Sequence, residues 1–262
     1  MKTLRVETRA HGVKRIVLSR PDVRNAFDET MIQELKDALA TLAAIPEPEE
    51  MRLLILTGEG RIFSAGADLN YMKRLARSGE AESLADAKSL AQLFYGLAAF
   101  PTPVICAVRG AAIGGGMGLA VSTDYVFSEE RATFATTEVR LGIVPAVISP
   151  YIVRKIGLAA ASSLLLTGRR IKAPEARELG VVQRMASEES FDSELEEVVL
   201  EFLHAGPEAA RRTKKLLHNA APLPNPDQIE FTAESIAKAR CSEEGRTGLA
   251  SFFDKKAPPW VP

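Results

Sequence analysis

The sequence is poor in the residues that most often build metal sites and Cys/His nucleophiles. Its 262 residues include 2 cysteines and 3 histidines. Cys106 and Cys241 do not form a metal-binding spacing, and the histidines His11, His204 and His218 are scattered along the chain. A metal site and a Cys/His nucleophile are therefore not expected, and both thiols are expected to be reduced.

A strong charge bias and long apolar runs are also missing. The formal net charge is −1, which gives no reason to expect nucleic acid or an anionic membrane as a partner. The most basic stretch, Arg211 to Lys215, is predicted to be a solvated helix face. The opening stretch MKTLRVETRAHG alternates like a strand and lacks the apolar core of a signal peptide, and no apolar run reaches membrane-spanning length. A cytoplasmic protein is therefore predicted.

Apolar periodicity predicts an α/β protein of repeated ββα-type units. Two short strands, 4–8 and 15–19, precede a helix that Asp28 caps, and the apolar run 51–57 is typical of a strand buried on both faces. A helix over 83–99, the strand VICAV, a short helix and a strand over 124–127 repeat this alternation, and ATFATTEV adds a short strand and loop. From Ile148 onward nearly all residues are predicted to be helical, with 181–184 as an exception. We predict a ββα core over 1–195 and a helical C-terminal segment over 196–262.

What the sequence does contain is a cluster of glycines between a strand and a helix. The stretch GAAIGGGMGLA, Gly110 to Ala120, lacks the G-x-G-x-x-G spacing, because Leu119 stands where the last glycine would fall. No Lys-Ser or Lys-Thr follows to make a P-loop. Bare backbone N–H groups at a helix start suit an anion, including a transient oxyanion. Close packing of the helix on the strand is the alternative explanation for the glycines.

A second loop of small residues favours the oxyanion interpretation. After the strand that ends in LILTG, the residues Ser64 to Ala67 precede Asp68, which can cap the next helix. Two such loops could each supply a backbone N–H group. The sequence therefore predicts an oxyanion hole with two donors.

Four segments resemble the crotonase (enoyl-CoA hydratase/isomerase) superfamily in order and approximate spacing. They are RPDVRNAFD, FSAGADLNYM, GAAIGGGMGLAVSTDYVF and FATTEVRLGIVP. The resemblance implies a spiral of ββα turns with a helical trimerisation segment, and an assembly of three or six copies. It also implies an acyl-CoA thioester as the substrate, with the site in the core over 1–195. Coenzyme A would then be part of the substrate, and no separate cofactor is expected.

The resemblance assigns roles to residues of this chain. The N–H groups of Ala67 and Gly115 would hold the thioester oxygen. Arg24 would lie near the phosphates of CoA, Ala65 and Leu69 would flank its adenine and pantetheine, and the neighbouring subunit would supply two further contacts, Phe252 and Lys255. The complete substrate-binding set predicted in this way is Arg24, Ala65, Asp68, Leu69, Gly114, Gly118, Phe252 and Lys255.

One of the two glutamates that hydratases of this superfamily use is missing. The position three residues after the middle glycine is Gly118, whereas the second position carries Glu138. A single carboxylate beside an oxyanion hole suffices for the 1,3 proton shift of an isomerase. Hydration is also feasible if Glu138 handles both water and proton, if the substrate's own remote carboxylate orders the water, or if another group substitutes. Gly118 could also simply leave room for a branched acyl chain.

The segment after Glu138 favours a hydratase. EVRLGIVPAVISPYIVRKIG and the C-terminal CSEEGRTGLASFFDKKAPPW look similar to bacterial hydratases of methylglutaconyl-CoA and related branched glutaconyl esters. That resemblance implies a role in acyl-CoA metabolism such as the degradation of fatty acids or leucine. The alternatives are a delta-3,delta-2-enoyl-CoA isomerase, a decarboxylase of the same superfamily, and a CoA-thioester binding protein without activity.

Overall fold

The computed structural model describes residues 1–261, and this part of the chain contains nine strands and ten helices. The strands are Leu4–Thr8 (β1), Val13–Leu18 (β2), Leu53–Gly58 (β3), Val104–Val108 (β4), Ala111–Ile113 (β5), Tyr125–Glu129 (β6), Thr133–Ala135 (β7), Arg170–Lys172 (β8) and Arg184–Ala186 (β9). The helices are Glu29–Ala43 (α1), Leu69–Arg77 (α2), Glu80–Ala98 (α3), Gly115–Val121 (α4), Ser149–Thr167 (α5), Ala173–Glu178 (α6), Phe191–Leu203 (α7), Pro207–Ala220 (α8), Pro226–Cys241 (α9) and Glu243–Phe253 (α10).

A six-stranded sheet in the order β1-β2-β3-β4-β6-β9 forms the centre. β1 and β2 pair antiparallel, and every later pair in this sheet is parallel. The sheet is buried on both faces because successive residues of β3 belong to different apolar clusters. Leu54 and Leu56 pack with α1 and α3, whereas Leu53 and Ile55 pack with α7. This explains the uninterrupted apolar run of β3.

A smaller sheet in the order β5-β7-β8 lies beside the loops that form the site. β5 and β7 are parallel, and β7 and β8 are antiparallel. An isolated bridge between Ser64 and Ala112 joins the loop after β3 to β5. The short strand β5 therefore fixes the position of one glycine-rich loop against the other.

The C-terminal helices fold back onto the core. α9 packs on α3, and α10 packs on α9, on α2 and on the 3-10 turn Glu138–Leu141. The predicted division at residue 196 falls inside α7, so the helical segment is continuous with the element that covers the second face of the sheet. Whereas α7 covers the sheet, the helices α9 and α10 close one side of the cleft that contains Glu138.

The predicted α/β core with a helical C-terminal segment is confirmed. The prediction that the basic stretch of α8 is a solvated face is wrong for Lys214. Its side chain is buried and its Nζ lies 2.6 Å from a carboxylate oxygen of Asp124, because a buried ammonium requires a charged partner. Within residues 1–261, no helix is both long and apolar enough to cross a membrane.

Candidate active site

Two loops of small residues lie side by side. Ser64–Ala67 leads from β3 towards α2, and Gly114 joins β5 to α4. The N–H of Ile113 donates to the carbonyl oxygen of Ser64 at 3.1 Å. Gly66 has φ +90°, and a Cβ on it would lie 2.7 Å from the carbonyl oxygen of Ile113. Only glycine permits both this backbone conformation and this approach.

Phe27 connects the two loops. Its N–H donates to the carbonyl oxygen of Gly66 at 2.9 Å, and its carbonyl oxygen accepts the N–H of Asp68 at 2.9 Å. Its ring packs against α4 so closely that a Cβ on Gly115 would lie 2.1 Å from Cζ of Phe27. A single residue therefore holds Ala67 on one side and Gly115 on the other, which explains why the segment RPDVRNAFD accompanies the two glycine-rich loops.

Ala67 and Gly115 carry the two backbone N–H groups that the sequence predicted as oxyanion donors. The cleft has a volume of about 1040 Å³, and both residues line it. Neither N–H donates to a protein acceptor within residues 1–261. The two backbones are neighbours, because a Cβ on Gly66 would lie 3.7 Å from the nitrogen of Gly115. Two adjacent, unpaired donors are the arrangement that stabilises negative charge developing on a thioester oxygen.

Asp68 also lines this cleft, but its carboxylate is engaged by its own surroundings. Oδ1 accepts the N–H groups of Asn70 and Tyr71 at 2.8 and 3.3 Å, which caps α2. Oδ2 accepts from Nη2 of Arg20 at 3.0 Å. Arg20 also donates to the carbonyl oxygen of Ala26 at 2.6 Å. Asp68 therefore holds the loop that carries Ala67, as its capping position predicted.

Glu138 faces the glycine loop from the opposite side. Its Oε1 lies 3.2 Å from the place where a Cβ on Gly114 would be, and its Oε2 is buried without a hydrogen-bond partner in the described chain. Burial raises the pKa of Glu138 to about 7 because it penalises the charged form, while the residue's own backbone N–H and the charge of Arg240 act in the opposite direction. A carboxyl group with a pKa near neutrality can both take up and release a proton.

The wall of the cleft around Glu138 is apolar. It is formed by Leu90, Ile143, Val144, Val147, Ile148, Ile236 and Leu249. Cationic side chains also line the cleft, namely Arg24, Lys73, Arg140, Arg170 and Arg240. The cleft thus combines an apolar wall suited to an acyl chain with cations suited to phosphate or carboxylate groups.

Gly118 is not among the residues that line the cleft, so the structure gives no support to its predicted role in substrate binding. It lies inside α4, where a Cβ would be 2.4 Å from Cγ2 of Ile148 and 2.8 Å from Cζ of Phe94. The side chains of Ile148 and Phe94 fill the space that a glutamate at position 118 would need. This space is therefore not open to a branched acyl group.

Replacing Gly118 by alanine is expected to lower the melting temperature by about 3 °C or more. Overpacking a core costs roughly 1–3 kcal/mol, which exceeds the ~0.5–1 kcal/mol that alanine gains over glycine within a helix. Gly96→Ala in α3 is the matched control, because a Cβ there meets nothing within 4 Å. Differential scanning calorimetry should show a lower Tm for Gly118→Ala and an unchanged or higher Tm for Gly96→Ala. Equal shifts in both variants would contradict the packing explanation.

The residues predicted to contact CoA divide into two groups. Arg24, Ala65 and Leu69 line the cleft. Phe252 lines it as well, from α10 of the same chain. It lies there because α10 packs on its own α2 and on the turn containing Glu138. Lys255 is exposed and lies outside the cleft lining of its own chain.

Two of the cleft residues that sequence reasoning missed are Ile148 and Arg240. Ile148 belongs to the segment after Glu138 whose likeness to hydratases of branched glutaconyl esters was noted in the sequence, and that likeness was a signal that its side chains matter. Arg240 carried no signal, because only the packing of α9 on α3 brings it to the cleft.

Comparison with known proteins agrees with this geometry. The family described as Enoyl-CoA hydratase/isomerase matches residues 8–261. A crystal structure of an enoyl-CoA hydratase from Shewanella pealeana is 38% identical, with a TM-score of 0.79 over 98% of this chain and 96% of that one. One from Mycobacterium avium has a TM-score of 0.85 at 27% identity and covers 100% of both chains. The human enoyl-CoA hydratase domain-containing protein 2, mitochondrial, is 30% identical over 256 residues, which is 95% of this chain and 86% of that protein. The fold expected from the resemblance is confirmed.

Proposed function

Because the chain belongs to the enoyl-CoA hydratase/isomerase family, we propose that it hydrates the double bond of an enoyl-CoA thioester and catalyses the reverse dehydration. One observation carries the proposal: Glu138, whose Oε2 has no hydrogen-bond partner, lines the same cleft as Ala67 and Gly115, whose N–H groups are free. A thioester oxygen bound by the two N–H groups would leave the adjacent carbons near Glu138.

The proposed reaction uses Glu138 for both proton transfers. As the oxygen of water bonds to C3, Glu138 takes a proton from that water, and the electron pair of the double bond moves towards the thioester oxygen. The N–H groups of Ala67 and Gly115 stabilise the resulting enolate. Glu138 then returns the proton to C2. Water and proton enter on the same face of the double bond, so the addition is syn.

The proposed substrate is a branched glutaconyl thioester such as 3-methylglutaconyl-CoA. The likeness of the segments after Glu138 and near the C-terminus to hydratases of such esters supports this choice. The apolar wall formed by residues such as Val147 and Ile148 is compatible with a branched chain. CoA would be bound only as part of the substrate, and neither nucleic acid nor a membrane is part of the proposal.

Isomerisation of a 3-enoyl-CoA to a 2-enoyl-CoA is the second candidate. The packing of Ile148 and Phe94 over Gly118 favours it, because no second carboxylate can reach the cleft from this position. In that reaction Glu138 would move one proton from C2 to C4. No water would be added.

The purified protein should be assayed with crotonyl-CoA, 3-methylglutaconyl-CoA and a linear 3-enoyl-CoA. A product heavier by one water, formed fastest from 3-methylglutaconyl-CoA, is the expected result. Isomerisation leaves the mass unchanged and is detected by the absorbance of the conjugated thioester. Conversion of only the 3-enoyl-CoA would replace the hydratase proposal by the isomerase. Binding of all three without conversion would indicate a CoA-thioester binding protein.

We also propose a homotrimer or homohexamer in the cytoplasm. Large apolar side chains are exposed on three helices of the second half of the chain, namely Leu158 and Leu166 on α5, Leu216 and Leu217 on α8, and Phe231 on α9. Burial of such surface between copies would be favourable. A molecular mass of one chain in light scattering would contradict the proposed oligomer.

The unpaired Cys106 and Cys241 suit a reducing compartment. Fractionation of the protein with a membrane would contradict the cytoplasmic location.

A further inference from the structure

The cleft contains a cation that the proposed reaction leaves without a role. Arg240, near the end of α9, lines the cleft together with Ile236 and Glu138. Its side chain is 12% exposed, whereas the other cations of the cleft, Arg24, Lys73, Arg140 and Arg170, belong to exposed residues. A guanidinium held at this depth requires a counter-charge, and its protein partner satisfies only part of its hydrogen-bonding capacity.

Two residues hold the Arg240 guanidinium in a fixed orientation. Its Nη1 donates to Oδ2 of Asp86 at 2.8 Å. The other carboxylate oxygen of Asp86 accepts a hydrogen bond from the hydroxyl of Tyr71, which also lines the cleft. Nε and Nη2 of Arg240 have no acceptor within residues 1–261. The ion pair thus leaves part of the guanidinium free to bind a second anion.

The position of Arg240 relative to Glu138 suits an anion at the far end of an acyl group. The charge of Arg240 is close enough to lower the pKa of Glu138 against the effect of burial. An acyl chain whose thioester oxygen is held at Ala67 and Gly115 would run past Glu138, and Arg240 lines the same cleft. The apolar wall strengthens any ion pair formed there, because the surroundings screen charge less than water does.

We propose that Arg240 binds the remote carboxylate of a dicarboxylic acyl-CoA and thereby selects glutaconyl-type thioesters over neutral ones. The proposal rests on the binding of acyl-CoA thioesters in this cleft. Arginine suits this role because its planar fork can donate two parallel hydrogen bonds to a carboxylate. Asp86 and Tyr71 orient the fork and are positioning residues. The competing explanation is that Arg240 and Asp86 only tie α9 to α3.

The test compares the binding of two saturated thioesters that the reaction cannot convert. 3-Methylglutaryl-CoA carries the remote carboxylate, and isovaleryl-CoA has the same branch without it. Isothermal titration calorimetry of the wild type should give a lower Kd for 3-methylglutaryl-CoA. In Arg240→Gln the Kd for this ligand should rise by roughly tenfold or more, while the Kd for isovaleryl-CoA stays within about twofold. Lys238→Gln, an exposed change of the same charge on the same helix, is the matched control and should leave both values unchanged.

The double variant Asp86→Asn/Arg240→Gln keeps the experiment interpretable. Arg240→Gln alone leaves the Asp86 carboxylate without its cation, which could repel the ligand or destabilise the fold. The double variant removes both charges, so a remaining loss of affinity for 3-methylglutaryl-CoA reports the missing guanidinium. A wild type that binds both ligands equally, or variants that retain the preference for the carboxylate, would overturn the proposal.

Turnover separates this inference from the proposed function. If the wild type hydrates 3-methylglutaconyl-CoA and Arg240→Gln does so with an unchanged KM, the hydratase stands and the role of Arg240 is wrong. If no hydration occurs but the preference for 3-methylglutaryl-CoA depends on Arg240, the carboxylate site stands and the reaction is wrong. The expected result is a KM for 3-methylglutaconyl-CoA about tenfold higher in Arg240→Gln, with KM for 3-methylcrotonyl-CoA unchanged.

Discussion

Glu138→Gln is expected to lower kcat by roughly a hundredfold or more on whichever thioester the wild type converts. The amide keeps the size of the side chain beside Gly114 but cannot accept and return a proton. The KM should change little, because the oxyanion hole and the cleft walls are untouched. Steady-state kinetics with product quantified by mass, or by absorbance for isomerisation, measures both constants. Turnover within about tenfold of the wild type would show that another group performs the proton transfer.

The pH dependence of the wild type identifies the active form of Glu138. Because burial raises its pKa to about 7 and both candidate reactions begin with proton uptake by the carboxylate, kcat/KM should rise with pH, reach half of its plateau near pH 7 and level off at higher pH. A profile that instead falls through pH 7 would show that Glu138 begins the reaction as an acid. The residual activity of Glu138→Gln should lack this transition.

Stability provides an independent control for the Glu138→Gln variant. A carboxyl whose pKa is raised from 4.5 to about 7 binds more protons in the folded state than in the unfolded state. Its contribution to the free energy of unfolding is therefore complete below pH 4.5 and is lost as the pH rises towards 7. Glutamine has no charge to bury, so the variant should be at least as stable as the wild type at pH 8. A lower Tm there would mean that lost activity reflects a damaged fold.

The parts of the fold that the sequence predicted are those set by local patterns. The buried run of β4 is apolar at each position, and Asp28 accepts the N–H of Met31 at the start of α1. The strands β5 and β8 were not predicted, because each lies beside a stronger local signal: the glycines follow β5, and helices flank β8 on both sides. Their existence depends on partners that lie far away in the chain, such as β7 between them.

The site divides in the same way. The main-chain donors and Glu138 lie in short segments with recognisable spacing, so they could be predicted. The surroundings of Gly118 could not be predicted. Whether a side chain at this position would meet substrate or Ile148 depends on how two distant segments of the chain pack. The placement of Phe252 in its own chain's cleft likewise depends on the path of α10. Periodicity states which face of a helix is apolar, but it does not state which cleft that helix closes.

Ala67→Pro is expected to lower kcat by roughly 10² to 10³, the usual cost of losing one donor of an oxyanion hole. Proline has no N–H, and its ring would occupy the space into which the Ala67 N–H points. The change removes no internal hydrogen bond, because this N–H has no protein acceptor within residues 1–261. Gly66, the preceding residue, lacks the Cβ that clashes with a following proline ring. Kinetics on the preferred thioester measure the loss.

Two comparisons separate the loss of the donor from damage to the loop. Ala67→Ser keeps the N–H and should retain turnover within a few-fold of the wild type. Phe27→Leu removes the ring that packs against Gly115 and should loosen that donor, while the backbone hydrogen bonds of residue 27 on either side of Ala67 remain. If Ala67 and Phe27 act on the same hole, adding Phe27→Leu to Ala67→Pro should cost less than it does in the wild type. Fully additive losses, or an Ala67→Pro protein with normal Tm and wild-type turnover, would show that the thioester oxygen is stabilised elsewhere in the cleft.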